Sequence, residues 1–235
     1  MSEFSINILH LYPDLLNLYG DRGNIECLKK RLLWRGIDVN VRECTLKSGN
    51  LDLSDIDLIF LGGGADREQE IVLEKLLPVK DKLKKFVEDG KTLLAFCGGY
   101  PLVGKSYKRK DAEIECLDLI DVATEESEKR FIGNIILKSS QFKNYIVGFE
   151  NHSTKTDTGA YTPLGETSDG TGEGVVYKNL FGTYLHGPLL PKNPELCDFI
   201  LQNTLKTKYS NFSELEKLDD TIEILANNYI VQVYN

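Results

Sequence analysis

The sequence predicts one α/β domain over residues 1–235, with a mostly parallel central sheet flanked by helices and an antiparallel extension. Three observations carry this. Ile6–Tyr12, Leu58–Leu61 and Thr92–Phe96 are short apolar runs of the kind buried on both faces of a sheet, and the last two run into Gly62-Gly63-Gly64 and Cys97-Gly98-Gly99. Helical patterns alternate with these runs, giving the order β-α-β-β-α-β-α through residue 107, which implies parallel strands covered on both sides. Beyond about residue 110 the runs shorten and are separated by Gly, Asn, Asp and Thr, which suits antiparallel pairing.

Each element has its local reason. After the first strand, Leu18-Tyr-Gly-Asp-Arg-Gly-Asn24 is a polar turn, and Asn24 is the expected N-cap of a helix carrying Ile25, Leu28, Leu32 and Leu33 and stopped by Gly36. Asp21 is read with it, as a cap or as a residue facing a partner, the cap being favoured. Ile37–Arg42 alternates apolar and polar residues as a half-exposed strand does. A single long helix is expected from Glu70 to Asp89, closed by Gly90. Phe131–Leu137, Tyr145–Phe149, Val175–Tyr177 and Leu180–Leu185 read as the later strands, Tyr161–Gly174 as a loop or hairpin, and Pro194–Thr204 and Asp219–Asn228 as helices.

Composition narrows the function. Hydrophobic residues make up 41% and charged residues 27%, as in an ordinary globular protein. A net charge of -8 argues against nucleic acid or an anionic membrane surface as the main partner. The N-terminus lacks the pattern of a secretion signal, and no apolar run approaches the roughly 20 residues of a membrane span. Five scattered cysteines without a Cys-x-x-Cys pair point to free thiols, no zinc site and a cytoplasmic location.

The chemistry centres on Thr92-Leu-Leu-Ala-Phe-Cys97-Gly-Gly-Tyr-Pro101. A buried strand running into Cys-Gly-Gly, with proline in the first turn of a helix, is a nucleophile elbow built around cysteine. The helix N-terminus is expected to favour thiolate, and free backbone N–H groups there can hold an oxyanion. Such a nucleophile needs a base. Of the three histidines, His10 lies within an apolar strand and reads as a packing residue. His152 follows Gly148-Phe-Glu-Asn151, where turn-stabilising and substrate-binding roles are both open. His186, delivered to a Gly-Pro turn by Gly182-Thr-Tyr-Leu185, is the expected base.

On these residues the sequence resembles class I glutamine amidotransferases, which pair an elbow cysteine with a distal histidine on a flavodoxin-like sheet. Two departures mark a branch. The elbow is Ala95-Phe-Cys97-Gly-Gly99 rather than Gly-x-Cys-x-Gly, and His186 is followed by Gly187-Pro188 where a His-x-Glu motif would put glutamate. This is similar to the cobyric-acid-synthase-like branch, with a Cys–His dyad. Tyr19-Gly-Asp-Arg-Gly-Asn24, Gly62-Gly-Gly-Ala-Asp-Arg-Glu-Gln69, Gly148-Phe-Glu-Asn-His152 and Gly182-Thr-Tyr-Leu-His-Gly-Pro188 further resemble the glutaminase subunits of lipid II isoglutaminyl synthases.

The resemblance implies hydrolysis of L-glutamine by Cys97 and His186, with ammonia passed to a Mur-ligase-like (MurT-like) partner in a heterodimer. That partner would bind lipid II, ATP and magnesium, this chain holding no cofactor. Ammonia for another acceptor, such as a cobalamin-type precursor, is the alternative. The oxyanion hole would comprise the N–H of Gly98 and one from the glycine turn, Gly64 being favoured. Arg130 resembles the family's substrate arginine, although an exposed surface charge is the competing reading. Gln69 is read as a substrate ligand or a helix-start residue. Glu195, Asp198 and a carboxylate from the partner are all open as the group orienting His186. A cysteine peptidase or deglycase would place an acidic residue near its nucleophile, and Ala95–Pro101 has none.

Overall fold

A computed structural model describes residues 2–234. In chain order the elements are β1 (Ser5–Leu11), α1 (Arg22–Leu33), β2 (Asp38–Cys44), β3 (Leu58–Leu61), α2 (Asp66–Leu76), α3 (Lys80–Glu88), β4 (Thr92–Phe96) and the single turn α4 (Gly99–Leu102). They continue with β5 (Ser106–Lys108), β6 (Glu113–Glu115), β7 (Ala123–Leu137), β8 (Ile146–Asp157), β9 (Gly165–Glu166), β10 (Gly172–Glu173), β11 (Val175–Tyr177), β12 (Leu180–Thr183), α5 (Pro194–Lys208) and α6 (Thr221–Tyr234).

The central sheet has the order β11-β12-β4-β3-β1-β2, parallel throughout except for β11 at one edge. Side-chain alternation along each strand explains its two covers. Ile6, Ile8, Leu58, Phe60, Leu94, Phe96 and Phe181 face one way, onto Ile25, Leu28 and Leu32 of α1 and Leu196, Ile200 and Leu201 of α5. Leu9, Leu11, Ile59, Leu61, Leu93 and Ala95 face the other way, onto Val72 and Leu76 of α2 and Leu83, Phe86 and Val87 of α3. Strands apolar on both faces belong in such a sandwich.

Three local expectations change. The helix expected from Glu70 to Asp89 is broken into α2 and α3 by a short 3-10 turn at Leu77–Val79, because Pro78 removes a donor and its ring obstructs the preceding turn. Asn24 lies inside α1 rather than capping it, and Asp21, which stands at the cap position, makes no side-chain cap bond. The antiparallel extension of the central sheet is β11 alone. The strands around Phe131–Leu137 and Tyr145–Phe149 belong to a second sheet, β6-β5-β7-β8, joined to the first through an antiparallel bridge between Phe149 and His186. Gly90 closes α3 in the left-handed region (φ 78°), as expected.

β7 and β8 form a long hairpin whose register is interrupted between Glu126 and Phe131. A bulge re-aims side chains locally, and Arg130 lies in this one. The second sheet thus leans over the carboxyl ends of β3, β4 and β12, where ligands gather in open α/β sheets.

Candidate active site

Cys97 follows β4 with φ 51°, a left-handed backbone conformation that costs a non-glycine residue roughly 1–2 kcal/mol. The corner is fixed from both sides: the Cys97 N–H donates to the Thr183 carbonyl at 2.7 Å, and the Tyr100 N–H donates to the Cys97 carbonyl at 3.1 Å. Glycine is required around it. A Cβ on Gly63 would lie 2.8 Å from the Cys97 Cβ, and one on Gly99 would lie 2.6 Å from the Leu61 carbonyl oxygen.

The backbone N–H groups at the elbow and the glycine turn differ in what they bond. The Gly63 N–H is taken by Asp21 Oδ2 at 2.8 Å. Among the described residues the Gly64 N–H has no hydrogen-bond partner, and the Gly98 N–H points at the Cys97 sulfur. Gln69 ties the two together. Its Nε2 donates to the Gly64 carbonyl at 2.8 Å, and its amide covers Gly98 so closely that a Cβ there would lie 2.5 Å from Nε2.

Cys97, Gly98, Gly64, Gln69, Arg130 and His152 line one cavity of about 380 Å³, together with Tyr19, Asp66, Glu126, Asn151 and Tyr184. Arg130 is oriented by Asn151, whose Oδ1 accepts from Nε at 3.0 Å and from Nη2 at 2.6 Å. It is the cation of the wall, and Asp66 and Glu126 are its carboxylates. His152 stands in the wall with both nitrogens engaged, Nδ1 with Thr154 Oγ1 at 3.1 Å and Nε2 with Glu150 Oε2 at 3.3 Å. Its ring lies between Phe131 and Tyr184. It has no free nitrogen to offer a substrate.

His186 is placed differently. It is 3% exposed and does not line the cavity. The ring of Tyr19, which does, lies flat against it at 3.9 Å. Both imidazole nitrogens are buried without a partner among the described residues, so no Cys97–His186 hydrogen bond is formed. Glu195 accepts the Asn144 N–H, and Asp198 is held by Arg31 and Arg35, so neither orients the ring. Glu150 is the carboxylate whose charge reaches His186. His10, packed edge-on to Phe60, is a core residue with an unpartnered Nε2.

Electrostatics corrects one expectation. Burial, then the nearby Asp21 charge, pushes the Cys97 thiol up to about 12, outweighing the Gly98 N–H. A four-residue turn has too little aligned backbone to favour thiolate against that burial. Burial, then the charges of Lys192 and His152, brings His186 down to about 4. The resting pair is therefore a thiol and a neutral imidazole.

A family profile described as a CobB/CobQ-like glutamine amidotransferase domain matches residues 7–194. The chain belongs to this family. Among curated relatives, this amidotransferase chain is 41% identical to the Staphylococcus aureus (strain N315) lipid II isoglutaminyl synthase (glutamine-hydrolyzing) subunit GatD, over 98% of the chain and 96% of that protein. The Streptococcus pneumoniae (strain ATCC BAA-255 / R6) subunit of the same name is 35% identical over 96% of the chain and 91% of that protein. A solved glutamine amidotransferase shares the fold at a TM-score of 0.58 and 18% identity, covering 83% of this chain and 98% of the other. Sequence reasoning missed Tyr19, Gly63, Asp66, Glu126 and Asn151 as parts of the site. Tyr19 and Asn151 stand inside motifs that carry the resemblance, so their neighbours were the available signal.

Proposed function

We propose that this chain is the glutaminase subunit of a lipid II isoglutaminyl synthase. It hydrolyses L-glutamine and passes ammonia to a Mur-ligase-like partner that amidates the D-glutamate α-carboxyl of the lipid II stem peptide. The observation that carries the reading is Cys97, held at a left-handed elbow in a cavity that also presents Arg130 and the carboxylates Asp66 and Glu126. Those charges suit the two ends of an amino acid: Arg130 pairs with the α-carboxylate and the acidic residues with the α-ammonium.

The Cys97 sulfur attacks the side-chain carboxamide carbon as His186 takes the thiol proton. The N–H groups of Gly98 and Gly64 hold the oxyanion. As the C–N bond breaks, His186 returns the proton to the leaving nitrogen, which departs as ammonia and leaves a thioester on Cys97. His186 then deprotonates water, which attacks the thioester carbon; the C–S bond breaks, glutamate leaves, and His186 returns that proton to the Cys97 sulfur. For this to happen Tyr19 must swing from between His186 and the cavity, and the unpartnered His186 needs a carboxylate. The two named relatives are subunits, which supports a partner as its source. ATP and magnesium would be held by that partner, and the reaction would take place in the cytoplasm. Among the described residues no helix is long and apolar enough to cross a membrane.

The test is glutamate release, with and without the Mur-ligase-like partner, ATP and lipid II, beside Cys97→Ala and His186→Ala. The expected result is amidated lipid II and glutamate with the unmodified pair, and loss of both by more than about 10³-fold in either variant. Glutamine-dependent amidation that survives in Cys97→Ala would refute the reading.

A further inference from the structure

The resemblance ties Tyr19-Gly-Asp-Arg-Gly-Asn24 to the family without saying what it does. Two of its polar side chains, Asp21 and Asn24, are both 0% exposed at the start of α1, and neither caps the helix. They point in different directions. Asp21 Oδ2 accepts the Gly63 N–H at 2.8 Å, and a Cβ on Gly62 would lie 2.6 Å from the same oxygen, so the carboxylate is pressed into the glycine turn. Asn24 Oδ1 accepts the Leu190 N–H at 2.9 Å, on the loop that carries His186. Gly23 lies against that loop, where a Cβ would come within 2.5 Å of Pro188 Cγ, and Tyr19 stacks on His186 itself.

We propose that Asp21–Asn24 is a brace setting the cysteine half of the site against the histidine half, with Asp21 and Asn24 as its two positioning residues and Tyr19, just before it, free to move. Asp21 uses up the Gly63 N–H, which turns the next peptide so that the Gly64 N–H stays free for the oxyanion. Asn24 holds the 186–190 loop at a fixed distance from that turn. The two ends are three residues apart on one helical turn, so displacement at one is transmitted to the other. Buried side-chain acceptors spent on loop amides rather than on their own helix are a costly arrangement, and stability alone would be served by capping. Among the described residues Asp21 Oδ1 and Asn24 Nδ2 stay without partners, which is a second sign that helix stability is not what these residues serve.

This inference rests on the glutaminase reading for its kinetic test, and has a second test independent of glutamine. Asp21→Ala is expected to lower kcat by roughly 10²-fold with KM within about threefold, as for loss of an oxyanion donor. Asp21→Asn keeps an acceptor for Gly63 and is expected to recover at least about tenfold of that loss. Asn24→Ala is expected to lower kcat by about tenfold, and the double variant to lose less than the product of the singles. Equal damage in Asp21→Asn and Asp21→Ala, a kcat within threefold of the unmodified enzyme, or strict multiplication of the two losses would each overturn the brace.

Amide hydrogen exchange provides the independent test. Asn24→Ala should speed exchange at Gly63 as well as at Leu190, although Gly63 touches nothing that was changed. Faster exchange at Leu190 alone would overturn the brace whether or not glutamine is hydrolysed. An unmodified pair that releases no glutamate, with exchange coupled as expected, would remove the glutaminase reading and leave the brace standing.

Discussion

The cysteine half and the histidine half of this site are finished to different degrees. Around Cys97 the chain supplies a strained elbow, a free Gly64 N–H, a Gly98 N–H aimed at sulfur and a Gln69 amide joining the two glycines. Around His186 it supplies burial, a stacked Tyr19 and two ring nitrogens with no partner among the described residues. Backbone geometry can be built by one chain through its own hydrogen bonds. A proton acceptor as strong as the reaction needs requires a charge beside it, and here the carboxylate whose charge reaches His186, Glu150, is bonded to His152. The difference supports the proposed division of labour, in which the chain prepares the oxyanion and substrate contacts and a partner completes the base.

The largest effect that would sharpen this contrast is expected at Gly63. Gly63→Ala brings a methyl within 2.8 Å of the Cys97 Cβ and must shift either the elbow or the turn, so kcat for glutamate release should fall by at least about 10²-fold. A fall that disappears on adding the partner would break the comparison, because the cysteine half would then not be self-contained.

Arg130→Ala comes next. Loss of the cavity's cation should raise KM for glutamine by about ten- to a hundredfold while kcat falls less, since the α-carboxylate is bound alike in ground and transition states. An unchanged KM in steady-state kinetics would return Arg130 to the surface-charge reading.

The smallest effect concerns stability. Burial raises Asp21 to about 6 from an ordinary value near 3.8, only partly offset by the Gly63 N–H. A carboxyl whose folded pKa is raised is protonated more readily in the folded state, so it costs stability as pH climbs from about 4 through about 6, the cost levelling off above that. Asp21→Asn removes that cost and should be more stable than the unmodified chain by about 1–3 kcal/mol at pH 8, the gain vanishing near pH 4. Denaturant titrations at the two pH values would check it, and a variant less stable at pH 8 would contradict it.

The parts of this site that could be read in the sequence were those determined locally. The elbow is written in a buried apolar run followed by two glycines, and the sheet order in the alternation of runs and helical patterns. Asp21 and Asn24 were misread as caps because a polar residue before a helix ordinarily caps it. Their actual partners lie 42 and 166 residues away. The thiol's raised pKa escaped for the same reason, since burial by distant elements is invisible in the motif. Pro78 was visible but was outweighed by the surrounding helical pattern. The second sheet was hidden because short antiparallel strands look alike whichever sheet they join.

The most direct test of the unfinished histidine half is the pH dependence of Cys97 alkylation by iodoacetamide, in the isolated chain and again with the proposed Mur-ligase-like partner added. With the thiol pushed to about 12 and His186 at about 4, the isolated chain should alkylate slowly at neutral pH, the rate still rising above pH 9. Partner binding should bring the midpoint down by at least about two units, as expected when a carboxylate and a charged imidazole complete the pair. A midpoint below 7 in the isolated chain, unmoved by the partner, would contradict the account, because the chain would then complete its base alone.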